Sequence, residues 1–363
     1  MFQDFHYLAQ QIFWTDSAEK RIYRSKLNDN AGKKVVVEGD IGNSDSFAID
    51  WVYNNLFWVN SIRKTLSVTK FEGDIIVDII NERLDTPRSV AVYPKKGLLF
   101  WSDLGKTPRI ERSGMDGSDR SVLAKDNVIW PNGIALDLVL ERLYWIDAKL
   151  HVIGSVGIDG SNPNILSQHS SSLYHPFSIS IFEDWVYWTE WAKNGSSIYR
   201  ANKFDGSHVN QVSNAPQHQK PMTVKVYHQF LQKSSNNLCA LRKSPCSHIC
   251  VPVAQKVKND DNHSSEHMPL TKCLCPPEHV LLQDDSTCRH KQWNVTKTIP
   301  AGQTSEVVNK ESLEEFLQDE IKELKLVREQ ENLYTGLLVG AAAGIGVLLT
   351  LVRGKYFIIN ICA

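Results

Sequence analysis

The sequence predicts an all-β protein built on a β-propeller, and two regular patterns support this prediction. Five tryptophans stand 44, 43, 44 and 43 residues apart, each inside a short aromatic motif such as LYWID or VYWTE; they are Trp14, Trp58, Trp101, Trp145 and Trp188. A segment of alternating apolar and polar residues, rich in β-branched side chains, precedes the later motifs at a similar spacing and usually begins with proline. A period of about 40 to 45 residues with one aromatic-Asp motif per unit is typical of four-stranded propeller blades.

Each repeat is predicted to hold four short strands. The alternating segments are predicted to be the inner strands, and the aromatic motif is predicted to be the second strand. A third strand follows within a few residues, and Asp-Gly dipeptides at 116–117, 159–160 and 205–206 are predicted to turn the chain into the outermost strand. The inner segments begin at Ser46, Pro87, Pro131, Pro176 and Pro221.

The number of strands predicts a six-bladed propeller that lacks most of one blade. Residues 1–232 hold five full blades and one further inner strand, Pro221 to Tyr227. We expect the missing strands upstream, because propellers commonly build one blade from both ends of the domain and an open ring would leave unpaired edges. The first 14 residues show no basic start, apolar run or cleavage site of a secretory signal, which also favours an upstream segment.

The conserved positions of the repeat are predicted to be structural. Alternate side chains of a strand face opposite sheet surfaces, so the motif tryptophans are expected to fill the widening gap between blades. The polar residue that ends each motif is expected to accept backbone N–H bonds in the adjoining turn, rather than to act in catalysis. These residues are Asp16, Asn60, Asp103, Asp147 and Glu190.

Residues 233–290 are predicted to form a small disulfide module. Six of the seven cysteines lie there, at positions 239, 246, 250, 273, 275 and 288. A module of this size needs cross-links because it buries little apolar surface, so the cysteines favour an oxidising compartment. Spacing alone leaves 15 disulfide connectivities open. A zinc site is the alternative, but Cys273 and Cys275 lack the paired Cys-x-x-Cys knuckles.

The C-terminal part is predicted to anchor the chain in a membrane. Residues 291–332 are predicted to be a linker and an amphipathic stalk helix, and 333–352 form a 20-residue uncharged stretch predicted to be a transmembrane helix, followed by a short cytoplasmic tail at 353–363. Arg353 and Lys355 would keep the tail in the cytoplasm. The alternative for 333–352 is a buried helix. Cys362 would lie near the membrane and would be either lipidated or unmodified.

Composition narrows the functional classes. The formal net charge of −1 gives no global reason to expect nucleic acid as a partner. Propellers also host hydrolases with acids in the central channel, but the inner strands offer matching acids only at Asp50 and Asp137, and no catalytic motif or metal-ligand set stands out. We therefore predict that the chain is not an enzyme and needs no metal or cofactor. Three N-glycosylation sequons are centred on Asn194, Asn262 and Asn294.

These motifs resemble the low-density lipoprotein receptor family, in which a YWTD propeller precedes an epidermal-growth-factor-like (EGF-like) module. The resemblance covers residues 1 to about 290 and is greatest to lipoprotein and yolk-protein receptors. It rests on long stretches rather than on single motifs: WPNGIALDLVLERLYWIDAKLH at 130–151, HPFS at 175–178 and FEDWVYWTE at 182–190.

The resemblance implies a disulfide pairing and a site. It implies Cys239 with Cys250, Cys246 with Cys273, and Cys275 with Cys288. Three histidines match positions at which family propellers hold their own ligand-binding modules in acidic endosomes: His151, His175 and His228. Imidazole gains charge between pH 8 and 5, so this propeller would attract acidic modules on acidification and displace cargo.

The resemblance also implies partners and a location. We expect lipoprotein or yolk-protein cargo bound through upstream modules, acidic cysteine-rich modules at low pH, and a folding chaperone of the endoplasmic reticulum. Calcium is expected only in the cysteine-rich modules, which this sequence lacks. The expected location is the plasma membrane and endosomes, with one membrane span and most of the chain extracellular or lumenal. An adhesion or signalling co-receptor propeller is the alternative.

Overall fold

In the part of the chain that it describes, the computed structural model contains five four-stranded antiparallel sheets, each of which is a propeller blade. In every blade the strands follow chain order from the central channel outwards. The structure describes residues 3–27, 32–39, 41–42, 46–73, 75–168, 173–192, 195–214, 220–243, 245–255, 269–291, 347–352 and 356–362.

The twenty blade strands repeat the same four-part order. Blade 1 has β1 (Gln3–His6), β2 (Gln11–Asp16), β3 (Arg21–Lys26) and β4 (Lys34–Glu38). Blade 2 has β5 (Ser46–Asp50), β6 (Asn55–Asn60), β7 (Thr65–Lys70) and β8 (Ile76–Ile80). Blade 3 has β9 (Pro87–Tyr93), β10 (Leu98–Asp103), β11 (Arg109–Gly114) and β12 (Ser121–Ala124). Blade 4 has β13 (Pro131–Asp137), β14 (Arg142–Asp147), β15 (Val152–Gly157) and β16 (Asn164–Gln168). Blade 5 has β17 (Pro176–Phe182), β18 (Trp185–Ala192), β19 (Gly195–Asn202) and β20 (Asn210–Asn214).

The aromatic motifs form the core between blades. Trp101 packs in one apolar cluster with Phe57 of the preceding blade, and Trp145 packs with Phe100 in the same way. The motif tryptophan therefore faces the blade before it, while its aromatic neighbour faces the blade after it, as the alternation of side chains in a strand requires. This wedge explains why the sequence period is so strict.

The inner strands run in the same direction around a central channel. A side-chain oxygen near the start of one inner strand accepts the backbone N–H of the next at distances of 3.0 to 3.3 Å; the pairs are Asp4 with Ile49, Ser46 with Val90, Ser89 with Ile134, and Ser178 with Val224. All inner strands therefore begin on one face of the propeller, which we call the entry face, and end on the other, the exit face. The first of them, β1, belongs to a predicted full blade but was not among the inner segments named from the sequence, because it is only four residues long and lacks the proline.

The strand β21 (Pro221–Tyr227) lies between blade 5 and blade 1. Its Val224 and Val226 pack against Tyr187 of blade 5, and its Tyr227 ring lies 4.8 Å from that of Phe5 in β1. The Gln232 side chain adds a link to blade 1, since it accepts the N–H of Tyr7 at 2.7 Å and donates to the Phe5 carbonyl. The inner ring is thus closed by contacts within this chain.

The predicted six-bladed propeller followed by a transmembrane helix is wrong. Among the described residues the structure has five four-stranded blades, and β21 pairs instead with β27 (Tyr356–Cys362), which pairs with β26 (Val347–Val352) to complete a three-stranded sheet. Residues 292–332, which hold the predicted linker and stalk helix, lie outside the described residues. Of the predicted span, 347–352 is a strand, and within the part of the chain that the structure describes no helix is long and apolar enough to span a bilayer.

The disulfide module docks on the exit face against blades 2 and 3. It contains β22 (Ile249–Val253), β23 (Leu270–Leu274), β24 (His279–Leu281) and β25 (Cys288–His290). Its disulfides join Cys239 to Cys250, Cys246 to Cys273 and Cys275 to Cys288, which is the pairing that the resemblance implied. Ile249 and Val251 are fully buried in the cluster that contains Trp101. Asn55 donates to the Cys250 carbonyl at 2.9 Å, and Lys272 pairs with Asp116 at 2.7 Å.

Candidate functional site on the entry face

The acids that end the aromatic motifs organise the turns of the entry face. Asp147 shows the arrangement most fully: Oδ1 accepts the N–H groups of Lys149 and Leu150 at 2.9 Å, and Oδ2 accepts those of Ile129 and Trp130 at 2.6 and 2.8 Å. One carboxylate therefore holds both its own turn and the loop that enters the blade. Such a cap fixes the backbone on which the surface side chains stand.

The other motif acids share parts of this arrangement. Asp16 and Asn60 each accept two N–H groups of their own turns at 2.9 to 3.1 Å. Asp103 accepts the N–H groups of Asp85 and Thr86 at 3.0 and 2.6 Å. An amide oxygen performs the same capping in Asn60 because one acceptor oxygen is enough for one turn.

Glu190 departs from this arrangement because its side chain is one methylene longer. It is 2% exposed, and its Oε1 accepts the N–H of His175 at 2.5 Å, while Oε2 has no hydrogen-bond partner among the described residues. Burial raises the pKa of Glu190 from 4.5 to about 7, against the lowering effect of the bonds from the His175 and Tyr174 backbone. The blade 5 motif therefore places a group that titrates near neutrality beside His175.

We expect Glu190→Gln to stabilise the protein at pH 8 and to lose that advantage as the pH falls to 5. The folded pKa lies above 4.5, so the ionised carboxylate destabilises the fold above about pH 7, and this cost fades as the pH falls from 7 towards 4.5. Urea unfolding at both pH values measures the difference. Asp147→Asn is the control, because it gives up bonds at every pH. An equal effect of Glu190→Gln at pH 8 and pH 5 would contradict this prediction.

Two of the three predicted histidines meet on the entry face. His151 stands in the turn between β14 and β15, where its Nδ1 lies 2.8 Å from the Leu173 carbonyl and its ring stacks near Tyr174. His175 immediately precedes β17 and lies 5.7 Å from the Trp191 ring, measured between centroids. His228 instead follows β21 at the exit face, where it contacts Phe182. Seven residues of β17 place the two faces about 20 Å apart.

Cations and aromatic rings surround His175 near the mouth of the channel. Phe177 and Trp191 stack at 4.2 Å with an interplanar angle of 11°. The guanidinium of Arg88 lies 5.1 Å from the Phe177 ring, and the Lys220 ammonium lies 5.1 Å from the Trp191 ring. Burial lowers the pKa of His175 below 6.5, and the charges of Lys220, His151 and Arg88 lower it further.

Exposed aromatic side chains extend this site outwards. Trp130 is 44% exposed and Tyr174 is 54% exposed, although both precede inner strands. The Lys149 ammonium lies 5.3 Å from the Trp130 ring. Large exposed rings beside cations are typical of surfaces that bind a protein partner. We call His151, His175, Lys149, Arg88, Lys220, Trp130 and Tyr174 the histidine patch.

The acids of the inner strands serve the exit face structurally. Asp50 caps the N–H groups of Val52 and Tyr53 at 3.1 Å, and burial raises its pKa to about 7. Asp137 caps its own turn at 3.0 Å and pairs with Lys203 at 2.6 Å. Lys203 was not predicted as a partner, since it lies 66 positions away and belongs to none of the motifs. The three sequon asparagines lie outside the described residues.

These features define a YWTD-type β-propeller joined to a disulfide-bonded module. Residues 97–138 and 141–183 match the family "Low-density lipoprotein receptor repeat class B". The chain is 31% identical to the vitellogenin receptor Yl of Drosophila melanogaster over 283 residues, which is 78% of this chain and 13% of that receptor. The chain thus spans about an eighth of that relative.

Solved structures show the same propeller fold. A chain in a crystal structure of a nidogen/laminin complex superposes with a TM-score of 0.54 and 26% identity, over 60% of this chain and 80% of that chain. A putative TolB from Agrobacterium tumefaciens gives a TM-score of 0.50 at 11% identity, over 58% and 79% of the two chains, which shows the fold alone. The chain carries a YWTD propeller of the low-density lipoprotein receptor family, and the resemblance read from the sequence is confirmed.

Proposed function

We propose that this propeller and module serve acid-dependent cargo release in an endocytic lipoprotein or yolk-protein receptor. The observation that carries the proposal is that His151 and His175 share one face with Lys149, Arg88 and Lys220, around exposed aromatic rings. Acidification adds charge to a face that is already cationic. An acidic, calcium-loaded cysteine-rich module would then bind the patch and give up its cargo.

The electrostatics of the patch favour an anionic partner at low pH. Burial lowers the pKa of His175 and the surrounding cations lower it further, so protonating it on the free surface is unfavourable. A carboxylate brought by a partner would reverse that effect and raise the pKa in the complex. By linkage, binding is then strengthened as the pH falls through the raised pKa and weakened as the pH rises above it. Glu190 becomes neutral over the same pH range, which removes a negative charge that would repel an acidic partner.

The same proposal covers location and partners. The three disulfides support an extracellular or lumenal location, at the plasma membrane and in endosomes. Lipoprotein or yolk-protein cargo would be held by modules elsewhere in the receptor, with the family's folding chaperone as a partner during synthesis. We infer binding rather than catalysis, because Asp50 and Asp137 are engaged in caps instead of facing a substrate.

We expect His151→Gln combined with His175→Gln to weaken low-pH binding at least about tenfold, because each lost charged contact is worth roughly 1.5 kcal/mol or more. Surface plasmon resonance with a calcium-loaded acidic cysteine-rich module, at pH 7.4 and 5.5, measures the effect. His228→Gln is the matched control, since it removes an imidazole from the opposite face. The proposal fails if the native chain binds equally at both pH values.

An adhesion role is the second candidate, and the likeness to a chain of a nidogen/laminin complex favours it. Such a propeller would hold a matrix protein at constant pH, through the aromatic rings more than through the imidazoles. Trp130→Ala would then abolish binding of the matrix partner at pH 7.4, whereas the histidine variants would leave it unchanged. This pattern separates the two candidates in one set of variants.

A further inference from the structure

Three histidines of the disulfide module lie in a row that the proposed function does not use. The ring centroids of His248 and His279 are 5.7 Å apart, and those of His279 and His290 are 5.0 Å apart. All three side chains are half-buried, so solvent reaches them. The row lies beside Cys288, near the end of the module.

The closest pair of histidines lies at a position of the antiparallel ladder where opposite side chains come close together. His279 of β24 lies directly opposite His290 of β25. The N–H of Lys291 donates to the Glu278 carbonyl at 2.8 Å, so the hydrogen-bonded pair is the one just outside the histidines. The histidine pair therefore occupies a non-hydrogen-bonded position, where opposite side chains approach most closely.

The tautomer of the central histidine is set by its surroundings. His279 Nδ1 lies 3.0 Å from the Pro277 carbonyl, which only accepts hydrogen bonds, so Nδ1 carries the proton. Nε2 is then the basic nitrogen with a lone pair. Metal-binding histidines in proteins typically donate their second ring N–H to a backbone carbonyl or carboxylate in this way.

We propose that His279 and His290 bind a divalent transition-metal ion of the Zn²⁺, Cu²⁺ or Ni²⁺ class through their imidazole nitrogens. Imidazole is a preferred ligand of these ions. Among the described residues no group of three or more His, Cys, Asp or Glu side chains is arranged around one ion position, so the site has two protein ligands, and water completes the coordination. The bound ion joins β24 to β25 and reinforces a hairpin of only three residues per strand.

Isothermal titration of the full chain with Zn²⁺ at pH 7.4 tests the proposal. We expect His279→Gln and His290→Gln each to lower the affinity of one bound equivalent at least about tenfold, since even partners of metal ligands change affinity by that much. His151→Gln and the double variant His263→Gln with His267→Gln remove other imidazoles of the chain and should retain this equivalent.

A second measurement excludes misfolding as the cause. Mass spectrometry of the unreduced variants reports whether the disulfide between Cys275 and Cys288 has formed. Hydrogen exchange of the Val280 and Arg289 amides, which lie in the same hairpin, should slow on Zn²⁺ addition in the native chain but not in the two variants. The proposal is overturned if the native chain takes up no Zn²⁺ in this hairpin, or if folded His279→Gln and His290→Gln bind it unchanged.

Discussion

Lys203→Met should destabilise the propeller by about 3 to 5 kcal/mol, because it leaves the Asp137 carboxylate buried without its counter-charge. The two side chains are 7% and 4% exposed, and Nζ lies 2.6 Å from Oδ2. Methionine restores the volume of the lysine stem but cannot donate a hydrogen bond to the carboxylate. The midpoint of urea unfolding, with the slope checked for constancy, measures the loss.

Two further variants isolate the buried charge as the cause. The double variant Asp137→Asn with Lys203→Met removes both charges and should recover much of the lost stability, since replacing a buried pair as a unit is often close to neutral. Lys64→Met breaks an exposed ion pair with Asp85, in which the two side chains are 54% and 32% exposed and the charged atoms lie 3.5 Å apart. It should lower the free energy of unfolding by less than about 1 kcal/mol. Equal losses in Lys64→Met and Lys203→Met would show that the buried pair does not hold blades 4 and 5 together.

The repeat was predictable because its physical cause is local. Each motif places a tryptophan and a second aromatic ring on opposite faces of one strand, and this requirement recurs at every wedge between blades. The position of His228 could also have been predicted from the sequence. All inner strands run from the entry face to the exit face, so the end of β21 and the start of β17 lie on opposite faces. The prediction grouped the three histidines by resemblance and did not take the direction of the strands into account.

Other features depend on contacts that leave no periodic signal. The partner of Asp137 comes from the next blade, outside any motif. The uncharged stretch at 333–352 predicted a membrane helix from hydropathy, but Val347–Val352 and Tyr356–Cys362 form strands. An uninterrupted apolar stretch fits both structures, and only the pairing of β27 with β21 and β26 decides between them. The docking of the disulfide module is a third case, since it includes a close approach of Gly97 to the backbone of Val253 and Ala254.

Gly97→Val should detach the disulfide module from the propeller. Gly97 has φ +65°, and a Cβ there would lie 2.7 to 2.8 Å from backbone atoms of Val253 and Ala254. Backbone atoms cannot rotate away as a flexible side chain can, so the module must shift as a body. The shift would expose Ile249 and Val251, each of which contributes roughly 1.5 to 3 kcal/mol through burial. Hydroxyl-radical footprinting of these two side chains measures the exposure.

Gly160→Val separates this clash from the cost of a left-handed backbone. Gly160 has φ +92°, and its nearest neighbour to an added Cβ is a side-chain atom of Leu123 at 3.9 Å. Both variants therefore place a β-branched residue where L-residues are disfavoured by about 1 to 2 kcal/mol, but only Gly97→Val meets the module. Intact disulfides in both variants show that the module itself is folded. If Ile249 and Val251 stay protected in Gly97→Val, or become equally reactive in Gly160→Val, the close approach at Gly97 does not determine docking.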